Sequence, residues 1–174
     1  TSLEKRRFYV DAVVRELRDR RDFLGNVPVD TIYFGGGTPS LLPVEETERL
    51  ISAIYNIYNV REGAEVTLEG NPDDLSPAFL RGLKQIGVNR LSMGVQTFDN
   101  SRLGFLNRRH TAEQAIEAVR AAQQAGFDNI SIDLMFGFPN QTLNEWQADV
   151  DRALSLQVQH LSAYSLMYEE GTRL

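Results

Sequence analysis

Apolar residues along this chain alternate between a helical and an extended period. In residues 4–23, Val10, Val13, Val14 and Leu17 recur at helical spacing among Arg, Asp and Glu, predicting an amphipathic helix ended by Gly25 and Pro28. Residues 31–34 read as a strand. Pro43 opens a second helix carried by Leu50, Ile51, Ile54, Ile57 and Tyr58, and the segment from Asn59 to Gly63 breaks it. Residues 64–68 alternate as a strand, with Val66 and Leu68 on one face. Ser76 and Pro77 cap a short helix bearing Phe79, Leu80 and Leu83. Strands are predicted over 88–93, 129–135 and 160–166. Between them come a short helical turn over 99–106, an Ala-rich helix over 111–124 stopped by Gly126, and a helix over 143–156.

Strand and helix therefore follow one another with short connections, the pattern of an α/β fold with a parallel sheet and outer helices. An open doubly wound sheet and a partial (β/α)6, TIM-like barrel both satisfy it. A closed eight-stranded barrel needs about 250 residues, and the chain has 174. The chain opens on a helix, so the expectation is a fragment lacking its first strand. Residues 1–174 are read as one domain.

Composition narrows the chemistry. With 42% hydrophobic and 24% charged residues the chain is ordinary for a globular protein. A net charge of −6 and scattered basic residues argue against nucleic acid as a partner. No apolar run approaches the ~20 residues of a transmembrane segment, and a cytoplasmic location is expected. The absence of cysteine excludes disulfides and thiolate ligands, and two histidines make a protein-built zinc site unlikely on their own.

The candidate chemistry gathers where strands end, which is where such folds bind ligands. The first strand delivers Gly35, Gly36, Gly37 and Thr38. Three successive glycines suit positive φ or close approach of a ligand to bare backbone. They match neither the G-x-G-x-x-G fingerprint nor the P-loop, which needs a lysine. A tight turn without ligand remains the alternative. The next strands deliver Glu69 and Asn71, then Gly94 and Gln96, then Asp133 and the Gly137–Thr142 loop, and finally Ser165 and Met167. Glu69 can accept hydrogen bonds from an ammonium group, or simply be a capping or solvated acid. Arg108 can pair with a carboxylate, whereas Arg109 and His110 read as a solvated pair before the cap Thr111. Asp133 alternates with Ile130, Ile132 and Leu134, so it projects inward and needs partners. Tyr164, Tyr168 and Trp146 read as packing residues. Glu69 and Asp133 could also form the acid–base pair of a small self-contained (β/α) enzyme.

With these residues in view, the chain resembles the radical S-adenosylmethionine (SAM) superfamily, and within it the branch of oxygen-independent coproporphyrinogen III oxidase and the related haem chaperone. The resemblance is carried by Phe34-Gly-Gly-Gly-Thr-Pro-Ser40, Glu69-Gly-Asn-Pro72, Arg90-Leu-Ser-Met-Gly-Val-Gln-Thr-Phe98, Asn107-Arg-Arg-His110, the run from Asp133 to Thr142, and the run from Ala163 to Thr172. It implies SAM and a [4Fe–4S] cluster as cofactors, with haem or a porphyrinogen as further ligand. Position by position, Gly36, Gly37, Thr38 and Glu69 would meet the methionyl amine of SAM. Gln96 and Asp133 would line the SAM site, Arg108 would face its carboxylate, and Met167 would lie near the adenine. In such enzymes the reduced cluster cleaves SAM to a hydrogen-abstracting radical, and the cofactors carry the chemistry. The family's Cys-x3-Cys-x2-Cys loop has no counterpart in this sequence. The cluster ligands and a C-terminal domain are therefore expected outside the chain, and the isolated fragment is expected to be inactive. Within the branch, the run from Asn107 to Thr142 looks more like the haem chaperone, which would hand haem to an accepting protein. The alternative is oxidative decarboxylation of coproporphyrinogen III.

Overall fold

The computed structural model describes residues 3–167 and Gly171; the expectation for Tyr168 lies outside the described residues. Five strands form one sheet: β1 Val29–Phe34, β2 Val60–Gly70, β3 Arg90–Gln96, β4 Ile130–Phe136 and β5 His160–Ser165. All neighbours pair in parallel, and the spatial order is the chain order, β1-β2-β3-β4-β5. A doubly wound sheet must reverse its strand order at a switch point. None occurs among the described residues, so the architecture is the partial TIM-like barrel: a sheet curled into a half-barrel with helices outside.

The helices are α1 Leu3–Asp19, α2 Val44–Ile57, α3 Pro77–Gln85, α4 Asn100–Phe105, α5 Ala112–Gln124 and α6 Leu143–Ser155. Their starts are set by side chains that satisfy orphan N–H groups. Ser76 accepts from the Phe79 amide, Asp99 from that of Arg102, and Thr111 and Thr142 form capping boxes with Gln114 and Glu145. None of the described helices is long and apolar enough to cross a membrane.

Period-two alternation separates the two faces of the sheet. Leu91, Met93 and Val95 of β3, and Ile130, Ile132 and Leu134 of β4, are buried in one core with Leu80, Leu83, Val119 and Ala153 of the helices. The intervening residues Arg90, Ser92, Ser131, Asp133 and Ser162 line cavities on the concave face. One face is thus oil and the other polar, and the polar one becomes the site.

Three boundaries differ from the expectation. The first helix ends at Asp19 rather than at Phe23, and residues 20–26 form turns. Arg20, Arg21 and Asp22 offer no apolar surface to hold another turn, and Phe23 is exposed. The second strand begins at Val60 instead of after Gly63. Gly63, with φ 76°, sits inside it. Between the pairs Val29↔Val60 and Thr31↔Glu65 the register shifts, so the glycine absorbs extra residues of a bulge. The third strand runs on to Gln96 through a second register shift after Met93.

Candidate functional site

β1 delivers the glycines at its C-terminal end. Gly36 and Gly37 have φ of 75° and 59°, a region that side chains other than glycine rarely adopt. Glu69 at the tip of β2 pins this loop. Its Oε1 accepts the Tyr33 hydroxyl at 2.7 Å and its Oε2 accepts the Gly36 N–H at 3.0 Å. Glu69 is therefore neither a helix cap nor a solvated loop acid. Burial, and then the neighbouring Glu69 charge, push the Tyr33 phenol above its ordinary value, so it stays a neutral donor.

The tips of β2 and β3 are tied to the segments that follow them. Buried Ser40 donates to Asp74 at 2.8 Å and accepts the Asn71 N–H at 3.4 Å. Asn71 Oδ1 accepts from Arg108 Nη1 at 3.2 Å, which turns the guanidinium over β3. Gly94 makes room for it: a Cβ there would lie 3.1 Å from Gln96 Nε2 and 3.2 Å from Arg108 Nη2. Arg109 is exposed and paired with Asp73 at 2.7 Å and Asp74 at 3.1 Å. His110 corrects the sequence reading of a solvated pair, because it is only 3% exposed. Its Nε2 lies 3.2 Å from the Val95 carbonyl, which fixes that nitrogen as the donor. Burial holds its pKa below the ordinary histidine value, so the ring is neutral.

Asp133 projects from β4 to the concave face, as its alternation predicts. Burial first, and then repulsion from Glu69, push its carboxyl above the usual value of 3.8. Thr38, Glu69, Asn71, Gln96, Arg108 and Asp133 converge on one cavity of about 210 Å³ at the strand tips. Two carboxylates stand on one side of it, and the Arg108 guanidinium with the Gln96 amide on another. Such a layout has the charges of a bound zwitterion reversed. A larger apolar cavity, about 890 Å³, lies beside it between α1, β1 and α2, bordered by Gly36, Gly37 and Thr38.

The predicted set is mostly brought together. Gly37, Thr38, Glu69, Gln96, Arg108 and Asp133 share the polar cavity, and Gly36 reaches it through its bond to Glu69. Met167 is placed apart from them, 73% exposed past the end of β5. Tyr164, expected to pack, instead donates its hydroxyl to Gln96 Oε1 at 2.6 Å. Tyr33 and Ser92 were also not singled out. Alternation could have found Ser92, because Arg90, Ser92, Gly94 and Gln96 interleave with three apolar residues of β3. Trp146 does pack, its ring 5.3 Å from that of Phe136.

Comparisons with known proteins agree with this geometry. The chain is 39% identical over 163 residues to the heme chaperone HemW of Lactococcus lactis subsp. lactis, covering 94% of this chain and 43% of that protein. It is 40% identical over 165 residues to HemW of Bacillus subtilis, covering 94% and 44%. The chain thus spans less than half the length of these relatives. Among solved structures, coproporphyrinogen III oxidase (HemN) from Escherichia coli superposes with a TM-score of 0.86 at 29% identity, over 95% of this chain and 38% of that one. A family model described as the radical SAM superfamily matches residues 3–153, and the chain belongs to that superfamily.

Proposed function

We propose that this chain forms the SAM-binding part of a radical SAM protein of haem metabolism, of the haem-chaperone kind. The observation that carries the reading is the polar cavity, in which Glu69 and Asp133 face Arg108 and Gln96. The raised carboxyl of Asp133 marks a pair of acids without enough positive charge beside them. An amino-acid ammonium supplies that charge, and its carboxylate suits the Arg108 guanidinium. SAM presents both groups, so the residues present fit it. Glu69 and Asp133 would hold the ammonium, Arg108 the carboxylate, and the Gly36–Gly37 backbone would border the ligand. When bound in such proteins, SAM supplies the reactive adenosyl group. The protein's part is to bind it, orient it and exclude water.

The [4Fe–4S] cluster that the superfamily uses does not fit these residues. Its ligands are thiolates, and none of the 174 residues is cysteine. On this reading residues 1–174 are a central portion of the radical SAM core, and the cluster ligands come from elsewhere. The relatives named heme chaperone favour haem binding, with transfer to an accepting protein in the cytoplasm. The superposition on HemN favours coproporphyrinogen III oxidation as the second reading. The commitment of Glu69 to Tyr33 and Gly36 favours a binding role over that of a free acid–base pair with Asp133.

The test uses the full-length protein with its cluster reconstituted. Stoichiometric haem binding, with no conversion of coproporphyrinogen III to protoporphyrinogen IX, is the expected result. Turnover to protoporphyrinogen IX would replace this reading with the second. No binding of SAM would overturn both.

A further inference from the structure

The Tyr164 hydroxyl decides what Gln96 offers to the cavity. A side-chain amide has one acceptor oxygen and one NH2 group, and which end faces a ligand depends on what holds the other. Here the oxygen accepts the Tyr164 O–H at 2.6 Å. The nitrogen lies on the cavity side, close to where a Gly94 Cβ would stand and beside the Arg108 guanidinium. Gln96 is 3% exposed and holds φ at 71°, in the left-handed region and next to a register shift. Such a conformation persists only where surroundings impose it. Tyr164 comes from β5, 68 positions along the chain, so the contact ties the last strand to the tip of the third.

We propose that Tyr164 is a positioning residue that locks the Gln96 amide with its N–H groups toward the cavity, so that this edge recognises an acceptor oxygen of the ligand and rejects a donor. Burial raises the Tyr164 phenol above its ordinary value, which keeps it a neutral donor at physiological pH. Gln96 then works with Arg108 as a two-pronged donor against a carboxylate, opposite Glu69 and Asp133. The inference rests on the reading of the cavity as a SAM site, but it concerns a residue that reading does not use.

The experiment is a double-mutant cycle on the full-length protein with its cluster reconstituted, with SAM binding measured by calorimetry. Tyr164→Phe removes the hydroxyl and keeps the ring. Losing one oriented hydrogen bond should weaken SAM binding about five- to tenfold. Gln96→Ala should weaken it at least as much, and in that background Tyr164→Phe should add less than a twofold further loss. Methioninol, which has a hydroxymethyl in place of the carboxylate, should bind the wild type and Tyr164→Phe alike, while methionine follows SAM. If Tyr164→Phe destabilises the fold, Gln96→Glu gives the second route. Its carboxylate still accepts the phenol O–H but has no N–H to present, and SAM binding should fall by a similar factor. Unchanged SAM affinity in Tyr164→Phe, or losses that add fully with Gln96→Ala, would overturn the positioning role while leaving the SAM site standing. A wild type that binds no SAM would overturn the site, and this inference with it.

Discussion

Replacing Asp149 with alanine isolates one buried clamp behind the site. Asp149 lies on α6 and is 4% exposed. Its Oδ2 accepts the Thr97 hydroxyl at 2.7 Å and its Oδ1 accepts the Phe98 N–H at 2.8 Å. Thr97 is fully buried, so neither donor finds water readily when the carboxylate is removed. Hydrogen bonds to a charged group contribute about 1.5–3 kcal/mol each, and the stranded donors add a desolvation cost. The two bonds share one carboxylate and are not fully additive, so the expected loss is about 3–5 kcal/mol. For a chain of this size that corresponds to a fall in melting temperature of roughly 6–20 °C. Urea unfolding followed by far-UV circular dichroism measures it. Asp151→Ala, which removes only an exposed bond to Gln147, is the control and should stay within about 0.5 kcal/mol. Because Thr97 follows Gln96 directly, the same variant should also lose ligand affinity. A loss below about 1 kcal/mol for Asp149→Ala would refute the argument that this carboxylate holds the strand tip in place.

Other perturbations report on neighbouring parts of the molecule. Gly94→Ala puts a methyl within 3.1 Å of Gln96 Nε2 and 3.2 Å of Arg108 Nη2, so SAM affinity should fall while the melting temperature barely moves, since both atoms end flexible side chains. Asp133 carries a folded-state pKa above its ordinary 3.8, so the folded chain holds that proton more tightly than the unfolded chain. Its contribution is most favourable at low pH and is lost as pH rises through the folded value. Asp133→Asn should therefore flatten that decline and raise the melting temperature at pH 7, while weakening SAM binding by calorimetry. Thr111→Ala breaks the capping box at the start of α5 and should cost about 1 kcal/mol in urea unfolding, with SAM affinity intact.

Strand and helix order was legible because the two periods alternate cleanly, and the strand tips could be named before their geometry was known. What periodicity could not resolve was the choice between a doubly wound sheet and a half-barrel, since both share the same local pattern and differ only in strand order. Gly63 was misread because a glycine inside a bulged strand looks the same as a breaker. His110 was misread because its neighbours Arg108 and Arg109 are charged, and only the packed structure shows its ring turned to the Val95 carbonyl. Tyr164 escaped for a similar reason: an aromatic in a strand is usually core, and its polar end matters only once β5 is seen beside Gln96.

Sequential strand order has a practical consequence. Each βα unit hands the cavity one or two groups, from Thr38 on the first to Asp133 on the fourth, so no continuous peptide of this chain can carry the binding activity. Limited proteolysis within any single crossover should therefore abolish ligand capture while most helix signal survives. Conversely, ligand capture by a refolding sample announces that distant units have finished docking, the slow step in parallel sheets.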